Sequence, residues 1–142
     1  MKPATICMLL LLGFRGVSSG ADVTSFNMVF KGKTTTLAGE KFRFTAIGTM
    51  SISNANGVIH FAGSTPALHF SGTGTIGTGK VAVATTTFDL GAGGKGVAVF
   101  IGKFRKNGTV FVGKCYAGAP ARLGPEPDGY VYTDGRVKAT AP

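Results

Sequence analysis

The chain has no tryptophan, two cysteines, six prolines and only six acidic residues in 142 positions. Each scarcity removes a class of protein. Two cysteines make no disulfide framework. So few prolines, with no G-X-Y period, exclude a collagen helix. A charged fraction of 15% beside a hydrophobic fraction of 44% is too apolar for a disordered chain. The six acids, Asp22, Glu40, Asp89, Glu126, Asp128 and Asp134, fall mostly at turns or chain ends. No inward carboxylate pair is predicted for general acid–base work, so no enzyme is expected.

What is abundant points elsewhere. Gly occurs 23 times and Phe 11 times, while helix formers are scarce beside Thr and Val. The length suits one domain. The composition is that of an all-β module.

Residues 1–21 read as a secretory leader. Lys2 supplies the basic start, Ala4 to Phe14 an apolar run, and Val17, Ser19 and Ala21 the small residues before a cut ahead of Asp22. Arg15 is an unusual charge so near the cut. The run is too short to span a membrane of ~30 Å. The mature domain is then 22–142, secreted or periplasmic. Loss of Lys2, Arg15 and Cys7 leaves 13 basic residues against six acidic ones, a net of +7, with Cys115 as a lone cysteine.

The body of the chain alternates with period two. From Lys41 to Ile52 the even positions are Phe42, Phe44, Ala46, Gly48, Met50 and Ile52, and the odd ones are mostly polar. That pattern is a half-buried strand. Asn56-Gly57 supplies a type I′ hairpin turn, setting Ile52 opposite Phe61 and Ser53 opposite His60. A second turn at Gly63–Pro66 sets Ala62 opposite Ala67 and His60 opposite His69. A third at Asn107-Gly108 sets Phe104 opposite Phe111, Gly102 opposite Gly113 and Phe100 opposite Cys115. Eight strands follow, at 23–32, 41–53, 58–63, 67–77, 80–89, 96–106, 109–117 and 129–139. Short connections and glycine facing large rings predict a small antiparallel up-and-down β-barrel, with a β-sandwich as the alternative. A Gly-rich connection at 91–96 and a Pro/Gly-rich loop at 117–129 interrupt it. Phe42, Phe44, Phe61, Phe70, Phe100, Phe104 and Phe111 are expected to face the lumen and to fill it.

Gly72 to Lys80 matches two phosphate-loop patterns, but strand-like sequence follows where those motifs need a helix. No nucleotide or other cofactor is expected. His60 and His69 form a weak candidate metal pair, short of a third ligand. Cys115 reads as a small core residue. Lys103, Arg105, Lys106 and Lys114 form a basic patch for anions, or charges that guard a hairpin against edge pairing. Export argues against nucleic acid and for an anionic envelope glycan or lipid headgroup. Val97, Val99, Ile101, Val110 and Val112 are expected outward, where a second subunit would cover them. Asn107-Gly108-Thr109 is a glycosylation sequon in a eukaryotic host. The leading expectation is an exported, non-catalytic envelope module. Its alternatives are an outer-membrane barrel, a lid-gated enzyme, or a carrier of a small apolar ligand.

Overall fold

A computed structural model describes residues 22–89, 94–122 and 127–142; the expected leader lies outside them. The chain forms β1 (Asp22–Thr35), β2 (Lys41–Ala55), β3 (Val58–Ser64), β4 (His69–Ile76), β5 (Val81–Asp89), β6 (Lys95–Arg105), β7 (Val110–Arg122) and β8 (Pro127–Thr140). Each pairs antiparallel with its sequence neighbours, and β8 pairs with β1, so the sheet is a closed barrel. Closure satisfies the strand edges that an open sheet would leave unpaired.

Inward residues alternate as a barrel requires. Phe26, Phe61, Phe111, Met50, Ile52, Ile59 and Val137 are fully buried. Phe61 meets Phe111 edge-on with ring centroids 5.8 Å apart and stacks on Phe100 at 6.2 Å. Phe104 lies 5.2 Å from Phe111. Glycine makes room for these rings. A β-carbon at Gly102 would stand 2.6 Å from the tip of the Phe111 ring and 2.6 Å from the Val112 carbonyl oxygen.

Two hairpins have the expected register. Ile52 faces Phe61 across a turn in which Asn56 and Gly57 both take positive φ, 53° and 83°. Phe104 faces Phe111, and Phe100 faces Cys115. The third differs. Ser64, not His60, stands opposite His69, and His60 stands opposite Thr73. The turn lies two residues further along than expected, at Thr65–Leu68, closed by the Thr65 N–H donating to the Leu68 carbonyl at 2.9 Å. Pro66 thereby takes the second turn position, where its fixed φ is already suitable. The slip is even-numbered, so Phe61 and Phe70 keep the inner face.

Much of the loop expected at 117–129 is strand. β7 pairs with β8 as far as Arg122 and Pro127, with an irregularity at Ala121/Arg122. Similarly β6 begins at Lys95, within the expected Gly-rich connection, of which 91–93 lie outside the described residues.

These long hairpins make the barrel lopsided. β1, β2, β7 and β8 have 14, 15, 13 and 14 residues, whereas β3, β4 and β5 have 7, 8 and 9. β2 pairs with β1 up to Lys41 but with β3 only from Thr49. Its segment 41–48 therefore borders no described strand on that side. A tall wall, β7–β8–β1–β2, rises above a short one.

Candidate ligand site

The tall wall corrects part of the expected lumen. Phe42 and Phe44 have inward parity, yet they are 55% and 37% exposed. No short-wall strand reaches high enough to face them. Phe61, Phe70, Phe100, Phe104 and Phe111 are buried as expected. The interior is packed toward the 56–57 and 106–109 turns and hollow toward the 65–68 turn.

The hollow is a cup of about 820 Å³. Phe70, Phe88, Phe100 and Ala98 line its short side and floor; Met28, Phe30, Phe44, Ala117 and Val131 line the tall wall; Leu68 and Pro66 reach in from the turn. Phe30 and Phe44 meet edge-on at 5.4 Å, which braces Phe44 at the rim. The polar groups are few. Thr34 and Thr133 hydrogen-bond to each other through their hydroxyls at 2.8 Å. Among the described residues no charged side chain contributes to the lining. Cys115 also lines the cup, and burial pushes its thiol from 9.0 to about 12. It stays protonated at neutral pH, a poor nucleophile.

A second, shallow depression of about 970 Å³ lies outside the tall wall. Its floor includes Gly32 and Gly135, paired across the β1–β8 seam. Around it stand Lys31, Lys33, Arg43, Lys114 and Arg136, with Asp134 as the acid among them. They form two cross-strand rows. Lys114, Arg136 and Lys31 follow one another across β7, β8 and β1. One step higher run Tyr116, Asp134, Lys33 and Arg43. Lys33 Nζ is 3.9 Å from Asp134 Oδ2, a loose and exposed pair.

Of the basic residues expected to act together, Lys114 alone lines this depression. Lys103 faces Val81 and Val112, Arg105 faces Val110, and Lys106 occupies the turn; all three are exposed. The seam residues were missed because they come from chain ends about a hundred residues apart. Their signal was the i, i+2 spacing of Lys31 with Lys33 and of Arg136 with Lys138.

The histidine pair is not assembled. His60 lies between Ser53 and Thr73, and His69 between Ser64 and Asp89. His69 lies four residues along β4 from the position opposite His60, about 13 Å and too far to share an ion. Among the described residues no three groups of metal-ligand type stand together. Outside, Val97 and Ile101 are exposed, Val99 and Val112 half-buried, and Val110, of the same outward parity, is only 8% exposed.

A closed eight-stranded antiparallel barrel, hollow and apolar at one end, defines the class by architecture. No protein-family model matches the chain, and no curated protein is significantly similar to it.

Proposed function

We propose that this protein is an exported, non-catalytic binding barrel that carries a small apolar ligand in its cup. One observation carries the reading: a cavity of about 820 Å³ lined by aromatic and aliphatic groups, with threonine hydroxyls as its principal polar points. Small-molecule sites typically measure about 300–1,000 Å³ and share that chemistry. Eight-stranded barrels are wide enough to hold one such molecule. The same lining speaks against a lid-gated enzyme. The cup does border Ala117–Pro120, but among the described residues of the lining Cys115 has no imidazole or carboxylate beside it. Most phenylalanines face inward, and the outer face mixes exposed Val and Ile with Thr, Ser, Lys and Arg, unlike the continuous apolar band of a lipid-spanning barrel.

A neutral fluorescent probe, N-phenyl-1-naphthylamine, tests the proposal. Saturable, one-to-one enhancement of its emission is expected, lost when Leu68 is changed to Asp at the cup's edge. Absence of saturable binding would overturn the reading.

The cation rows favour a second reading, contact with an anionic envelope polymer or membrane surface. Five cations around one acid raise the local concentration of polyanions. Heparin retention that survives about 0.3–0.5 M salt supports this reading, since exposed charges are largely screened there. Elution below that range removes it.

A further inference from the structure

The cup and the cationic depression meet at one strand. Phe44 and Thr45 line both. Successive residues of a strand point to opposite faces, so Phe44 and Ala46 belong to the cup while Arg43 and Thr45 belong to the outer face. Along most of the barrel a neighbouring strand separates inside from outside. Along 41–48 it does not, because β3 pairing stops at Thr49. A molecule lying on Phe44 can therefore turn over the β2 edge and meet Arg43 without crossing a sheet. Arg43 is exposed and stands across from Lys33, and Lys41 follows two residues higher on the same face.

We propose that the ligand is an amphiphile with one apolar chain and one anionic head, the chain in the cup and the head on Arg43 at the β2 edge, with Lys41 and Lys33 beside it. The inference rests on the reading of the cup as a ligand site and adds the head chemistry. The cup accepts the chain because its described lining is apolar apart from threonine hydroxyls and the Cys115 thiol. An ionised head cannot follow it in, since burying an unpaired carboxylate is prohibitively costly. The cations on β2 are reached over its unpaired edge without crossing the wall. A planar guanidinium also suits a carboxylate, sulfate or phosphate oxygen pair better than an ammonium does.

The test displaces N-phenyl-1-naphthylamine with dodecanoate and with 1-dodecanol, which share a chain and differ in head charge. The wild-type protein is expected to bind dodecanoate about tenfold more tightly, the factor that one charge-assisted hydrogen bond supplies. Arg43→Gln should abolish that preference and leave 1-dodecanol unchanged. Lys114→Gln removes the same charge from the far side of the seam and should change neither. Equal affinity of the two ligands for the wild type overturns the head assignment while leaving the cup reading intact. So does an equal loss of dodecanoate binding in Arg43→Gln and Lys114→Gln, which would mark general attraction. Displacement by neither ligand overturns both. Both substituted side chains are exposed, and an unchanged far-ultraviolet spectrum verifies folding in each variant.

Discussion

Lys31 of β1 stands directly opposite Arg136 of β8, so the seam that closes the barrel sets two cations face to face. Lys114 extends the row on β7. Like charges in directly opposed positions cost roughly 0.2–1 kcal/mol. A domain of this size gains a few degrees of melting temperature per kcal/mol. Lys31→Glu is therefore expected to raise the melting temperature by about 1–4 °C in dilute buffer. The gain should shrink in about 0.5 M salt as screening removes the repulsion. An unchanged or lowered melting temperature would mean that the repulsion across this seam is negligible.

The β3–β4 register is open to direct cross-linking. With His60 opposite Thr73, His69 lies four residues away along β4, or about 13 Å. A disulfide needs Cα atoms within about 7 Å. His60→Cys with Thr73→Cys should oxidise to an intramolecular bridge, and His60→Cys with His69→Cys should not. Mass spectrometry after oxidation reads both. A bridge in the second variant would restore the simpler turn at Gly63–Pro66.

Burial separates rings that share one parity. Phe111 is fully buried against Phe61 and Phe104, whereas Phe42 is 55% exposed on the tall wall. Phe111→Ala should cost about 3–5 kcal/mol by cavity formation, and Phe42→Ala less than about 1 kcal/mol, as for other exposed positions. Urea unfolding provides the comparison. A large loss for Phe42→Ala would show that something in solution covers the upper wall.

The Cys115 thiol makes stability fall in alkali. Burial holds the folded thiol near 12, whereas the unfolded thiol ionises around 9.0. Below 9 both states keep the proton, and the contribution is fully present. As pH rises from 9 toward 12 the unfolded state alone releases it, so stability declines by up to about 1.4 kcal/mol per pH unit. Cys115→Ala should remove this part of the slope. A thiol reagent at pH 8 should react with Cys115 only after denaturation, and rapid reaction of the folded protein would contradict its burial.

Several of these relationships were legible in the residue order, others not, and the divide is physical. Alternation over Lys41–Ile52 reports a sheet with one buried face, because a side-chain period of two maps directly onto burial. Asn56-Gly57 marks its turn because few residues tolerate two successive positive φ values. Pro66, however, fits two turns that both keep Phe61 and Phe70 inside. Parity alone does not choose between them, and the histidine pair depended on that choice.

The candidate site was legible in its materials and not in its assembly. Phe44, Phe70 and Phe100 announce an apolar inner face. Whether they enclose a filled core or a cup depends on how far each strand outruns its neighbour, as β2 outruns β3 beyond Thr49. Within their own strands Lys31 and Arg136 show only an i, i+2 spacing with another cation. They become a surface feature only through pairing between opposite ends of the chain.

By itself, the order of residues determined that this is a β protein of about eight strands, which faces of most strands are apolar, and where two of its hairpins turn. Those are local properties, set by side-chain periodicity and backbone preference within a few residues. Tertiary structure decided that the sheet closes, that one wall stands above the other, and that the rings leave about 820 Å³ unfilled beside a row of cations. Local patterns favoured a barrel over a sandwich, but closure itself, unequal wall height and the meeting of β1 with β8 depend on contacts between distant segments.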